Sequence, residues 1–107
     1  MEKNSFVLVH LTSPREKFWG LLKDETPAGI TVRGLSLDGF EEWLRQVARK
    51  ATLSTHPATV FFPMYRIERI FEDETAGELA SFADRFRQTV GEDARYHLTP
   101  LRDTDAE

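Results

Sequence analysis

Two β-strand patterns separated by one proline constrain this chain more than any other feature. Thr59–Phe62 is a run of β-branched and aromatic residues, and Pro63 ends it because proline fixes φ and has no N–H to give to a ladder. After Met64-Tyr65, the segment Arg66–Phe71 is again rich in β-branched and aromatic residues. The sequence therefore predicts two consecutive strands with a very short break between them.

Three further strand patterns precede this pair. Phe6–Leu11 is an apolar run closed by the turn residues Thr12-Ser13-Pro14, and it is typical of a strand buried on both faces. Lys17–Lys23 carries Gly20 in its middle, where the missing Cβ permits a sharp bend or a close backbone approach. Ile30–Arg33 alternates apolar and polar residues after a polar turn, so a hairpin with the second strand is expected.

A helix is predicted between the third and fourth strands, over Asp38–Lys50. Asp38 and Glu41 have the spacing of a capping box. Phe40 and Trp43 belong to a wide apolar stripe, which indicates that one face of the helix is packed.

A second helix is predicted over Thr75–Val90. Thr75 and Glu78 again have capping-box spacing, and Gly91 suits the C-terminal end of a helix. Residues 92–107 contain few apolar side chains, so we expect a loosely docked or mobile acidic tail.

The composition bounds the class of protein. A chain of 107 residues, 40% of them hydrophobic and 30% charged, suits one core, which we assign to residues 1–91. The chain has no cysteine, which excludes a disulfide framework, a thiolate metal ligand and a thiol nucleophile. No secretion signal and no long apolar run is visible, so we expect a cytoplasmic protein that makes no membrane contact.

Two segments are similar to the motifs of a known family of barrels. Lys17–Leu22 followed by Gly29–Val32 is similar to the first Sm motif, in which a strongly bent second strand carries a glycine. Phe61–Ile70 resembles the second Sm motif, where a short turn separates strands four and five. Residues 5–72 thus resemble a small SH3-like or Sm-like β-barrel of the Hfq/LSm type. The resemblance implies an α+β, mainly β fold: a five-stranded barrel with a helix inserted between strands 3 and 4 and a C-terminal helix.

The resemblance also implies self-assembly. In Sm-like barrels the fourth and fifth strands are the edges through which copies pair into rings, since unpaired backbone groups there need partners. A homo-oligomer formed through strand edges is therefore expected, with four residues at or beside the assembly edge: Phe61, Phe62, Ile67 and Ile70. The two helices could equally cap the barrel and block these edges, which would leave a monomer.

RNA binding is the second implication of the resemblance. Basic side chains beside aromatic ones can hold phosphates and stack bases. The candidate residues are Arg45, Arg49 and Lys50 on the first helix and Arg66 and Arg69 on the fifth strand. The alternative is a solvated helix face, in which Glu41 and Glu42 balance the basic residues.

Two departures from the family pattern, and the charge of the chain, weigh against the RNA-binding interpretation. Pro63-Met64-Tyr65 replaces the Lys-His-Ala type of sequence found in Sm-like RNA chaperones, whose helix also precedes the first strand, so their contacting residues cannot be carried over one by one. The net charge of −4 is unlike that of a typical nucleic-acid binder. The acidic excess lies in residues 72–107, which hold ten Asp and Glu against four Lys and Arg.

No catalytic, metal or cofactor site is predicted. His10, His56 and His97 lie far apart, without a second ligand at metal-binding spacing. The acidic run Glu72-Asp73-Glu74 could bind a cation, but negative charge before a helix is favoured by the helix dipole, so we expect a structural role.

The sequence thus favours a non-enzymatic small β-barrel that mediates macromolecular interaction or self-assembly. An Sm-like RNA-binding protein is one alternative. A small enzyme or ligand-binding domain, with a site that no motif marks, is the other.

Overall fold

The chain forms a five-stranded antiparallel sheet covered by helices, in a computed structural model that describes residues 1–100. The strands are β1 (Phe6–Leu11), β2 (Glu16–Thr26), β3 (Gly29–Ser36), β4 (Ala58–Pro63) and β5 (Ile67–Glu72). The helices are α1 (Phe40–Ala48), α2 (Phe82–Val90) and the single-turn α3 (Arg95–Leu98). The predicted α+β, mainly β class is confirmed, as is a helix between the third and fourth strands.

The order of the strands in the sheet is β4-β3-β2-β1-β5. A 3-10 turn at Met64–Arg66 joins β4 to β5, yet the two strands lie at opposite edges and do not pair with each other. In a flat sheet, strands four positions apart are separated by about 19 Å, and a three-residue turn of this kind reaches only about half as far. The sheet must therefore curve strongly, although within residues 1–100 no ladder closes it into a barrel.

A pair of glycines allows two strands to approach closely at the centre of this curved sheet. Gly20 of β2 lies opposite Gly34 of β3. A Cβ on Gly20 would lie 2.3 Å from the carbonyl oxygen of Arg33, and one on Gly34 would lie 1.9 Å from that of Trp19. The close backbone approach expected at Gly20 is thus observed, and its partner is a second glycine.

The two faces of the sheet carry separate apolar clusters. The inner cluster lies on the concave face and is built by all five strands: Val7, Val9, Leu11, Phe18, Leu22, Ile30, Val32 and Phe62, with Val60, Ile67 and Ile70 packed against it. The helix-side cluster lies on the other face: Trp19, Leu21, Leu35, Phe40, Trp43, Leu44, Phe86, Ala94 and Leu98. Both tryptophans are fully buried there.

The first helix begins later than predicted and ends at Ala48, before Lys50. Asp38 lies in a 3-10 turn, and its N–H donates to the hydroxyl of Ser36 at 3.3 Å. The predicted Asp38 and Glu41 capping box does not form, because Glu41 instead forms an ion pair with Arg85 of α2 at 2.5 Å.

The second helix begins at Phe82, so the predicted start at Thr75 is wrong. The Ser81 hydroxyl accepts the N–H of Asp84 at 3.0 Å and acts as the N-cap. Thr75 does not pair with Glu78 but lies outside the helix, where its hydroxyl accepts the N–H of Ser81 at 3.0 Å. The segment before α2 is therefore an irregular loop held against the helix.

The core extends beyond Gly91, where the sequence predicted that the domain ends. Gly91 closes α2 with a φ of 88°, as expected of a C-terminal glycine. Ala94 and Leu98 are then buried in the helix-side cluster, and Arg33 Nε donates to the carbonyl oxygen of Leu98 at 2.5 Å. This part of the predicted tail is firmly docked, and its remainder, 101–107, lies outside the described residues.

Candidate functional site

β4 is an edge strand whose outer side has no partner within residues 1–100. Alternate residues of an antiparallel strand direct their N–H and C=O groups toward the neighbouring strand. The N–H of Met64 donates to the carbonyl oxygen of Ala28 at 2.8 Å, which fixes this alternation along the β3 and β4 ladder. Thr59 and Phe61 therefore direct their backbone groups away from the sheet.

β5 is the opposite edge and has the same property. The N–H of Asp73 donates to the carbonyl oxygen of Phe6 at 3.0 Å, so Phe71 bonds to β1 while Ile70 and Glu72 direct their backbone groups outward. Each edge therefore offers two residues whose backbone donors and acceptors are available to another strand.

The four residues predicted at the assembly edge fall into two groups. Phe62 is 4% exposed and belongs to the inner cluster, against which Ile67 and Ile70 are also packed. Phe61 is 51% exposed, and its side chain lies on the opposite face of β4. Of the four, Phe61 is thus the most exposed side chain, while Ile67 and Ile70 are half-buried at the margin of the core.

The basic residues predicted on the first helix lie on a solvent-exposed surface at its C-terminal end. Arg45 forms an ion pair with Glu42, one turn earlier on α1. Arg49 and Lys50 follow the helix, are exposed, and have no acidic partner within 4.0 Å among residues 1–100. The balanced helix face that the sequence offered as the alternative is therefore seen for Arg45.

Arg66 has a structural role. Its guanidinium donates to the carbonyl oxygens of Thr12 at 3.1 Å and Pro14 at 2.8 Å, and to the carboxylate of Glu16 at 3.1 Å. Only 19% of its side chain is exposed. Arg66 thus holds the turn between β1 and β2 in place, and the structure does not bring it together with the basic residues of α1.

Arg69 lies in a different basic cluster, which the sequence reasoning missed. His10 of β1 lies between Lys17 of β2 and Arg69 of β5 in the sheet register. These residues and Arg15 line a surface pocket of about 230 Å³, together with Leu11, Glu16 and Glu68. The row spans three strands and becomes visible only when both registers are known, so the spacing in sequence gave no signal for it.

The electrostatics of this pocket are reflected in His10. Partial burial, followed by the charges of Lys17 and Arg69, lowers the pKa of His10 from its ordinary value of 6.5, while Glu68 acts in the opposite direction. The His10 ring also makes an edge contact with Phe71, at 5.0 Å between centroids. His10 is therefore held in a defined place in a positive field.

A second, larger groove lies between the end of β5 and the start of α2. It measures about 520 Å³ and is mostly apolar, with Leu8, Phe71, Leu79 and Phe82 among its lining residues. Leu79 is 76% exposed. The groove places exposed apolar surface directly beside the unpaired edge of β5.

Asp73, the middle residue of the acidic run before α2, has a structural role. The carboxylate of Asp73 accepts hydrogen bonds from the N–H groups of Phe82 at 3.0 Å and Ala83 at 2.9 Å. These are first-turn groups of α2 that have no partner inside the helix.

Among the described residues, no cluster of three His, Cys, Asp or Glu side chains could hold a metal ion. Within the same part of the chain, no helix is both long and apolar enough to cross a bilayer.

Comparison with known proteins gives no relative: no family model, no curated protein and no solved structure matches this chain.

Proposed function

We propose that this chain is a non-enzymatic, Sm-like small β-barrel protein that assembles with copies of itself, β4 of one copy pairing with β5 of the next. The observation that carries the proposal is the pair of unpaired edges, each with two outward-facing residues, at opposite ends of one strongly curved sheet. The three-residue turn between those edges and the inner cluster shared by all five strands support the barrel.

The composition of β4 supports its role as the strand that is added. Natural edge strands are commonly protected by charged residues, and β4 has none in its sequence ATVFFP. Its outer face instead presents Phe61 at 51% exposure. An uncharged edge with an exposed aromatic residue favours pairing with another strand.

The backbone geometry favours one register for this pairing. An antiparallel ladder with Phe61 opposite Ile70 also sets Thr59 opposite Glu72, so all four outward-facing residues form hydrogen bonds. A shift by two residues in one direction places Pro63, which has no N–H, opposite Ile70. A shift by two residues in the other direction moves Phe61 toward the irregular part of β5, where its pairing with β1 shifts register. Hydrogen bonds between the two copies would be lost there.

This register has a consequence for the side chains. Residues directly opposite in a ladder place their side chains on the same face. Phe61 of one copy would therefore lie against Ile70 of the next copy and cover the margin of its inner cluster. Because different surfaces of each copy meet, the contact is head-to-tail and generates a closed ring or an open filament.

Light scattering and native mass spectrometry over a series of protein concentrations test the proposal. Phe61→Lys should give a folded monomer, because it places a charge in the proposed interface. The matched control Tyr65→Lys adds the same charge at an 84% exposed position in the turn beyond β4 and should leave assembly unchanged. Phe62→Lys should unfold the protein, since that side chain is in the core.

A backbone variant separates strand pairing from a side-chain contact. Thr59→Pro removes an outward N–H, which edge strands tolerate, and should abolish assembly while the fold persists. Val60→Pro removes an N–H that pairs with β3 and should unfold the chain. A wild-type protein that is monomeric at every concentration reached would refute the proposal, as would assembly that Phe61→Lys and Thr59→Pro both leave intact.

RNA binding stays the second candidate function, carried now by the pocket around Arg69. The predicted residues do not form one surface, because Arg66 is engaged in the β1–β2 turn. A small ligand-binding or enzymatic role is the third candidate, and the apolar groove beside β5 is the observation in its favour.

A further inference from the structure

We propose that the pocket between β1, β2 and β5, lined by His10, Arg15, Lys17 and Arg69, binds a phosphate group. The inference is separate from self-assembly and rests on different residues, although Arg69 lies on β5. It assigns a ligand of defined chemistry to this pocket.

The arrangement of charges is the first argument. Lys17 and Arg69 are the direct cross-strand neighbours of His10 on its two sides. Lys17 and Arg69 are thus two strands, or about 10 Å, apart in the sheet, and positive charge lies on both sides of the His10 ring. An anion bound over His10 would lie between the two cations and be attracted by both.

The acidic residues of the pocket do not cancel its positive charge. Glu16 is held at 3.1 Å by Arg66, from outside the row. Glu68 lies 3.8 Å from Arg69 and is 48% exposed, so its contact is long and weakened by water. Lys17 and Arg15 are exposed and have no acidic partner within 4.0 Å in the described part of the chain.

The donor set suits phosphate. An arginine guanidinium can donate two parallel hydrogen bonds to phosphate oxygens, and lysine supplies a further charge. A protonated imidazole adds a donor between them. The pocket volume of about 230 Å³ is open to solvent and leaves room for the group that carries the phosphate.

Binding must be linked to protonation of His10. The charged groups that line the pocket around its ring are Glu16 and Lys17 from β2, Glu68 and Arg69 from β5, and Arg15 from the turn before β2. A phosphate anion among them favours the imidazolium, so bound phosphate raises the pKa of His10.

NMR titration of the three histidine side chains with inorganic phosphate tests the proposal, with sodium chloride at equal ionic strength as the reference. Phosphate should raise the pKa of His10, and the ring signals of His56 and His97, which lie outside the pocket, serve as internal controls. Lys17→Gln and Arg69→Gln should each weaken binding by about tenfold. Arg49→Gln removes the same charge outside the pocket and should have no effect.

Two further arms identify the source of the phosphate. Adenosine monophosphate represents small phosphorylated ligands, and a short single-stranded oligouridylate represents a nucleic-acid backbone. Tighter binding of the oligouridylate with a steep salt dependence would assign the pocket to RNA, and equal or tighter binding of the monophosphate would assign it to a small ligand. Repeating the titration on Phe61→Lys keeps the result independent of assembly.

The proposal is overturned if phosphate and chloride shift the three histidines equally. It is also overturned if Lys17→Gln and Arg69→Gln, both folded, bind phosphate as tightly as Arg49→Gln.

Discussion

The indole Nε1 of Trp19 donates a hydrogen bond to Oδ2 of Asp73 at 3.0 Å. Trp19 is 0% exposed at the centre of the helix-side cluster, and the same carboxylate caps the first N–H groups of α2. One side chain thus joins the middle of the sheet to the start of the helix that covers it. The described residues contain no buried side-chain nitrogen or oxygen that lacks a partner.

Asp73→Ala should lower the free energy of unfolding by about 2–4 kcal/mol, because it leaves a buried indole N–H and the helix N-terminus without acceptors. Asp73→Asn keeps an amide oxygen and should cost less. Glu74→Ala, at the exposed next position, should change stability by less than about 0.5 kcal/mol. Urea denaturation measures all three, and equal losses for Asp73→Ala and Glu74→Ala would contradict the role of Asp73.

Gly34→Ala should cost at least about 3 kcal/mol, since its Cβ would collide with the backbone of β2 and neither strand can move without breaking the ladder. Gly77→Ala is the matched control. Gly77 has a φ of 60° with nothing within 4 Å of its added Cβ, so the substitution should cost only the about 1–2 kcal/mol of a left-handed backbone. Comparable losses for the two variants would show that the close approach of β2 and β3 can relax.

The protein should become less stable as the pH falls, because of the lowered pKa of His10. Its pKa is below 6.5 in the folded state, so as the pH drops below 6.5 the unfolded chain takes up a proton that the folded chain refuses, and unfolding is favoured. Between about pH 7.5 and about pH 5.5, wild type in a phosphate-free buffer should lose more stability than His10→Gln. Identical losses would contradict the folded-state pKa shift.

Leu98→Ala should destabilise the protein by about 3 kcal/mol, as expected for a leucine truncated in a closed core. Tyr96→Ala, two residues earlier and 79% exposed, should stay within about 0.5 kcal/mol of wild type. Thermal and urea unfolding check both. If Leu98→Ala is as stable as wild type, residues 92–98 are only loosely attached, as the sequence predicted.

The strands could be predicted from the sequence because their signals are local. Phe6–Leu11 is an apolar run whose bounds match β1, and the proline at 63 marks the end of β4. The helix starts could not be predicted, because the groups that cap α2 include Asp73, nine residues before Phe82. Short-range capping patterns at Asp38 and Thr75 were therefore misleading.

The site residues show the same difference between what local sequence patterns reveal and what depends on distant parts of the chain. Phe61 and Phe62 both satisfy the strand pattern, and only the pairing of β3 with β4 decides which one enters the core. The row of Lys17, His10 and Arg69 depends on two registers at once, one of which contains an irregularity next to His10. Leu98 lies in a single helical turn, too short for its periodicity to be recognised.

The burial of Leu98 also sets the order in which the two clusters can be completed as the chain is synthesised. The inner cluster contains no residue beyond Ile70. The helix-side cluster includes Leu98, so it can be completed only after that residue has left the ribosome. Until then Trp19 and Trp43 lack part of their cover, so the nascent chain exposes aromatic surface late in translation. During that interval it is most open to chaperones and to premature association.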